Sequence, residues 1–227
     1  MHTSAMSNCQ SFFETYAKSF NSNENVRVIE IGSQNINGSL RDLSPPGFEY
    51  IGVDFVAGKG VDVILDDPYK LPFDSGSADI VLSSSCFEHS EMFWIVFLEI
   101  LRVLKPKGLF YLNVPSNGTF HRYPVDCWRF YPDSGRALVT WAKRNGINAA
   151  MLESYTSVQV EDVWNDFVAV FAKDEKFVSE FPKRILDSKE DIYNGLIYNG
   201  EEFIKPARTP EDQKKLQVIS ETIVSKT

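Results

Sequence analysis

An open, doubly wound α/β sheet of mostly parallel strands is the fold this sequence predicts, and three observations carry it. Five short apolar runs, Val26 to Ile31, Tyr50 to Val53, Val61 to Leu65, Ile80 to Leu82 and Leu109 to Val114, read as buried parallel strands. Amphipathic helical stripes alternate with strands where the chain allows a crossover. Met151 to Val160 and Phe167 to Phe171 then lie too close together for a helical crossover, so they read as an antiparallel pair closing the sheet.

Taken in order, residues 1–25 hold an N-terminal helix. Phe12, Phe13, Tyr16, Ala17 and Phe20 recur at helical spacing over Gln10 to Phe20. The plain reading is a helix packed on the sheet, and the alternative is an active-site lid. Residues 26–173 form the main domain. Its first strand ends at Gly32, as a parallel strand feeding a tight turn should. Between the fourth and fifth strands, Trp94, Phe97, Leu98, Leu101 and Leu104 make one stripe, with Glu99 and Arg102 pointing away. Pro106 and Gly108 turn that helix into the fifth strand. A second helix starts after Asp133, carries Leu138, Trp141 and Ala142 inward and stops at Gly146. Residues 174–227 read as a helical appendage, with stretches near Phe177 to Leu186 and Pro210 to Val224.

Composition narrows the function. A net charge of -8 repels phosphate backbones, so a nucleic-acid partner is not expected. Cys9, Cys86 and Cys127 are odd in number and widely spaced, which points to reduced thiols and a cytoplasmic location. The most apolar stretch, Met92 to Leu104, is interrupted by Glu99 and Arg102, so no membrane insertion is expected. A homodimer is compatible with all of this.

Function lies at the carboxyl edge of the sheet, where open α/β folds bind ligands. There the first strand delivers Glu30, Gly32, Ser33 and Gln34, and the amides of the turn suit a carboxylate. Asp54 ends the second strand about 20 residues past the glycine turn, where a carboxylate accepts from both hydroxyls of a ribose. Asp67 follows the third strand and suits the exocyclic amine of an adenine. Each acid alone reads equally well as a solvated turn residue; their order along the chain argues for a nucleotide-like cofactor.

With Val28-Ile29-Glu30-Ile31-Gly32, Gly52-Val53-Asp54, Asp67 with Leu71-Pro72-Phe73, Asp79-Ile80-Val81, Phe87-Glu88-His89 and Leu101 through Gly108, the chain resembles class I S-adenosylmethionine-dependent methyltransferases, particularly the small-molecule group called type 11. The resemblance runs from about Val26 to Gly146. It implies S-adenosylmethionine as cofactor and a seven-stranded sheet whose last strand is antiparallel. It also implies that Glu30 and the Gly32 turn approach the methionine part, Asp54 the ribose and Asp67 the adenine. Phe55 and Ser84, at the ends of the second and fourth strands, complete the expected cofactor set. Two departures stand out: Gln34 occupies a usual second glycine, and Lys107-Gly108 a usual double glycine. Gln34 also weighs against a nicotinamide-dependent oxidoreductase, whose G-x-G-x-x-G turn needs glycine at Gln34 and Asn37.

Methyl transfer from a sulfonium is an in-line displacement that requires no metal, and none is expected. A hydroxyl acceptor also needs a base, and the candidates are His89, beside Glu88 after the fourth strand, and His121. For His89 the plainer reading is a residue that shapes the pocket or caps the crossover helix. His121 opens a cluster with Arg122, Tyr123, Asp126, Arg129 and Tyr131, expected to bind a small polar acceptor. The competing reading makes Asp126 and Arg129 a local structural pair. This His, Pro, Asp and Trp-Arg-Phe arrangement loosely resembles loops of methyltransferases from polysaccharide and cell-envelope pathways, suggesting a saccharide or phosphorylated precursor. A non-catalytic methyltransferase-like interaction subunit is the rival function.

Overall fold

The computed structural model describes residues 2–20, 25–159 and 164–225. Eight strands form one sheet: β1 (Arg27–Ile31), β2 (Glu49–Asp54), β3 (Val63–Ile64), β4 (Ala78–Ser84), β5 (Leu104–Pro115), β6 (Ala150–Ser157), β7 (Asp166–Ala172) and β8 (Ile192–Ile197). Their order is β3-β2-β1-β4-β5-β7-β6-β8. Strands β1 to β5 pair in parallel, and β7 inserts antiparallel between β5 and β6. The order therefore reverses between β1 and β4, the topological switch where such sheets open a ligand crevice.

The expected α/β class holds, but the strand count is eight rather than seven. Strand β8 pairs antiparallel with β6 at the sheet edge. Its sequence gives little warning, because Asn194 at φ 51 and Gly195 interrupt the apolar run. Residues beyond Lys173 also feed the core, through buried Val178, Phe181, Ile185, Ile192 and Leu196. The predicted third strand shortens to Val63–Ile64, and the end of the predicted sixth, Val160, lies outside the described residues.

Four α-helices accompany the sheet: α1 (Thr3–Tyr16), α2 (Phe93–Val103), α3 (Ser134–Arg144) and α4 (Glu211–Val224). Helix α1 begins ahead of the predicted Gln10 because Ala5 and Cys9 extend the apolar face back by two turns, and both are fully buried. It covers one face of the sheet, packing Phe12 and Tyr16 in a cluster with Val28 and Tyr111. Helices α2 and α3 cover the opposite face. There Phe97 sits 5.9 Å from the Phe110 ring and 5.2 Å from that of Phe171, between β5 and β7. Truncating so enclosed a ring to alanine costs about 3–5 kcal/mol.

Two helix faces differ in detail from their sequence patterns. The buried residues of α2 are Val96, Phe97, Ile100, Leu101 and Val103, with Trp94 and Leu98 only half-buried and Leu104 already opening β5. On α3, Trp141 is 37% exposed rather than inward. Its indole N–H reaches the Trp94 carbonyl at 3.0 Å, so the ring bridges two helices at the surface. A single 3-10 turn, Leu40–Leu43, stands between β1 and β2 where a crossover helix is usual.

Candidate active site

At the β1/β4 switch a cavity of about 330 Å³ opens, and its first wall is made mainly of backbone. Gly32 has φ +79, and a Cβ there would lie 2.7 Å from the Cys86 Cβ and 2.8 Å from its Sγ. Glycine is thus required both by conformation and by space. The amides of Gly32 and Ser33 donate to the Val53 carbonyl at 3.0 and 3.1 Å, pinning the turn to β2. Asp54 then fixes the loop from the side: one carboxylate oxygen accepts from the Gln34 amide and the other from the Val56 amide, each at 3.2 Å. Gly32, Gln34, Asp54, Phe55 and Ser84 all line the cavity.

Other residues expected here lie beside the cavity. Glu30 is buried on the α1 side of the sheet, accepting from the Tyr50 hydroxyl at 2.8 Å. Burial pushes its carboxyl up to about 7, against the opposing pull of that hydrogen bond and of Arg41. Ser33 is buried behind the turn. Asp67 closes its own loop by accepting from the Tyr69 amide at 2.8 Å, while Pro68 and Tyr69 reach the cavity instead. That loop is anchored from α2. Glu99 accepts from the Leu71 amide at 3.0 Å, and Arg102 donates to the carbonyls of Phe73 and Leu71 at 2.8 and 3.0 Å.

The second wall comes from the end of β4 and the loop after β5. Tyr123, Pro124 and Val125 line the cavity, and the Tyr123 hydroxyl donates to Gln34 Oε1 at 2.7 Å, joining this loop to the first wall. The Glu88 carbonyl accepts from the Cys127 amide at 2.7 Å, which seats the loop over the end of β4. His89 lines the cavity too. Its Nδ1 lies 2.5 Å from the Val125 carbonyl, so Nδ1 carries the proton and Nε2 keeps its lone pair. Burial lowers the His89 pKa, and burial lifts that of Glu88 to about 8. Their 3.7 Å approach at neutral pH therefore joins a neutral imidazole to a largely protonated carboxyl and is not an ion pair.

His121 is placed against His89, with ring centroids 4.8 Å apart. The rest of the predicted acceptor cluster turns inward on itself. Arg129 grips both oxygens of Asp126 at 2.6 and 2.9 Å and donates to the Thr119 carbonyl at 2.9 Å. Asp126 also accepts from the His121 amide at 2.7 Å, and the guanidinium holds its carboxyl down at about 2. Arg122 is exposed, and Tyr131 borders a separate cavity of about 90 Å³ with Thr156 and Tyr193. The sequence pattern assigns no role to His2, Ile36, Ser85 or Cys86, which line the cavity at the β1/β4 switch. The Ser83-Ser84-Ser85-Cys86 run directly after an apolar strand was the available signal for the last two. His2 had none, since its approach depends on how α1 docks.

Residues 15–112 match the methyltransferase domain family. Among solved structures, the chain is similar to a 1,6-didemethyltoxoflavin-N1-methyltransferase from Burkholderia thailandensis, bound to 1,6-didemethyltoxoflavin and S-adenosylhomocysteine. That similarity has 14% identity and a TM-score of 0.56, over 75% of this chain and 79% of the other. It is also similar to the YcgJ protein of Bacillus subtilis, at 15% identity and TM-score 0.52, over 77% and 100% of the two chains. An S-adenosylmethionine-dependent methyltransferase from Methanosarcina mazei gives 13% identity and TM-score 0.50, over 70% and 96%. No curated protein matches the chain in sequence. The fold is thus the one shared by these three structures, two of them named as methyltransferases. The cavity suits their cofactor: Gly32 leaves a backbone cradle a side chain would fill, Asp54 offers a carboxylate, and Phe55, Leu65 and Tyr69 offer apolar surface.

Proposed function

We propose that this chain is a class I S-adenosylmethionine-dependent methyltransferase that moves the methyl group to an oxygen or nitrogen of a small polar acceptor held beside His89. The observation behind this reading is that one cavity is walled by the Gly32 turn and Asp54 on one side and by His89 and Tyr123 on the other. S-adenosylmethionine supplies an electrophilic methyl on a positively charged sulfur. The chain's residues do the rest. The Gly32 turn and Asp54 hold the cofactor, while Tyr123 and Val125 roof the acceptor and exclude water. His89 Nε2, with its lone pair fixed by the Val125 carbonyl, takes the proton that a hydroxyl acceptor releases as its new bond to carbon forms. An amine acceptor arriving unprotonated needs no such base before transfer. His89, Ser90 and Glu91 on the cavity wall suit the hydroxyls of a saccharide, whereas a phosphorylated precursor finds no lysine or arginine among the described lining residues. The Burkholderia enzyme, of the same fold and bound to 1,6-didemethyltoxoflavin, is a precedent for a compact acceptor.

The test is binding and turnover. Calorimetry should show S-adenosylmethionine binding that Asp54→Ala weakens by about 1–3 kcal/mol, since two ribose hydroxyls lose their acceptor. Unchanged affinity in a folded variant would remove Asp54 from the site. Release of S-adenosylhomocysteine should appear on screening hydroxyl and amine acceptors, and binding without any turnover would favour an interaction subunit.

A further inference from the structure

Methyl transfer needs no metal, yet the fold assembles a ligand set of which the proposed reaction uses only the His89 Nε2 lone pair. Glu88, His89 and His121 each offer one ligand atom, and these atoms lie within 4.8 Å of one another. We propose that Glu88, His89 and His121 bind one divalent transition cation of the zinc class at the acceptor end of the cavity.

Three features support the site beyond proximity. First, the imidazoles are set in the tautomer that metal ligation uses. His89 donates Nδ1–H to the Val125 carbonyl, and His121 Nδ1 faces the Thr119 carbonyl at 3.2 Å and Asp126 Oδ2 at 3.4 Å. Both rings keep the Nε2 lone pair, held by the carbonyl and carboxylate partners that orient zinc-bound histidines. Second, Glu88 is 1% exposed, and its Oε2 has no hydrogen-bond partner among the described residues. An acceptor buried without a partner has lost its water and gained nothing in return, and a cation at the carboxylate offsets that loss. Third, the gap fits. His89 Nε2 and Glu88 Oε1 stand 3.7 Å apart, too far for a hydrogen bond. Two ligands at about 2.1 Å on a tetrahedral zinc lie about 3.4 Å apart, close to this gap, and the widest pair of the triad has to close by somewhat more than an ångström.

Two imidazoles and one carboxylate make a three-ligand set that leaves a coordination position open, as catalytic zinc sites do. His89 lines the cavity, so that position faces the acceptor. The inference rests on the methyl-transfer reading only for that last point, and with the cation bound His89 Nε2 is a ligand, so the base role given to it above belongs to the metal-free protein.

The test uses the full chain stripped with a chelator and needs neither cofactor nor acceptor. Titrated Co²⁺ should give visible absorption bands saturating at one equivalent, and Zn²⁺ should displace it with the same stoichiometry. His121→Ala, a change at a partly exposed ring, should weaken Zn²⁺ binding by about 100-fold or more while the circular dichroism of the protein is unchanged. Glu88→Gln should do the same, and Cys127→Ala, which removes an exposed thiol outside the site, should not. The proposal is overturned if the wild-type protein binds Zn²⁺ no more tightly than His121→Ala, or if affinity follows Cys127. S-adenosylmethionine binding measured on the same stripped protein separates the two ideas: cofactor without metal leaves the methyltransferase reading intact, and metal without cofactor leaves only this site.

Discussion

The two walls of the cavity are built by different means. The first wall depends on backbone: a glycine at positive φ, amides on the Val53 carbonyl, and a carboxylate bonding two amides across a turn. The second depends on side chains: Arg129 clamps Asp126, Asp126 holds the His121 amide, and Val125 orients His89. A wall of backbone tolerates almost no change of shape. A wall of side-chain pairs can be altered one pair at a time, so one domain can keep its cofactor and change its acceptor.

The sharpest break in that comparison is Gly32→Ala. The new methyl would meet Cys86 at 2.7 Å from a backbone at φ +79. Left-handed strain and overpacking together should cost about 3–4 kcal/mol of stability and weaken S-adenosylmethionine by about 100-fold or more. Urea unfolding and calorimetry read both. A stable variant with normal affinity would mean that the turn does not shape the cofactor site.

Next in size is a pH effect beneath the first wall. Glu30 ordinarily titrates near 4.5 and in the fold near 7, because burial penalises its charged form. The native state therefore holds a proton that the unfolded chain has already lost between those values. Stability contributed by this group is complete below about pH 4.5 and falls by about 3 kcal/mol as pH rises through 7. Glu30→Gln keeps an acceptor for Tyr50 and should flatten that slope, making the variant the more stable protein at pH 8. Parallel unfolding curves at pH 5 and pH 8 for the two proteins decide, and equal slopes would mean that Glu30 is charged in the fold.

The second wall should respond more modestly. Asp126→Ala and Arg129→Ala each break a bidentate pair whose carboxylate side chain is 1% exposed. A double-mutant cycle on thermal stability should give a coupling of about 2 kcal/mol, and S-adenosylmethionine affinity should change little in any of the three variants. If Arg129→Ala instead melts normally and raises the acceptor KM, the guanidinium recognises the acceptor and the brace is secondary.

How much of this was legible in the sequence follows the same division. Gly32 and Asp54 could be read because each stands at the end of a strand, where spacing along the chain fixes place in space. The apolar runs of β1, β2, β4 and β5 were legible for the same reason. Strand β8 was not, because an edge strand needs apolar residues on one side only and Asn194 and Gly195 blur even that. The approach of His2 to the cavity, and of His121 to His89, depends on contacts between distant segments that no local pattern records. Trp94 and Trp141 misled the helix faces, since a large ring with a polar N–H is satisfied at a helix junction as well as in a core.

The smallest expected effect tests whether the two walls act together. Tyr123 donates its hydroxyl to Gln34 Oε1 at 2.7 Å, an exposed bond joining the acceptor loop to the residue that replaces the family's usual second glycine. Exposed hydrogen bonds contribute about 1 kcal/mol or less, because water replaces either partner. Tyr123→Phe should therefore leave stability nearly unchanged. If the bond holds the loop closed over the cavity, the same variant should raise the KM for both S-adenosylmethionine and acceptor by about two- to fivefold, since opening the loop releases both. Gln34→Gly, which restores the usual glycine, removes the same bond from the other side. The two changes should then be non-additive, with the double variant no worse than the weaker single one. Additive losses would mean that each residue contacts a ligand separately, and the walls would be neighbours without being coupled.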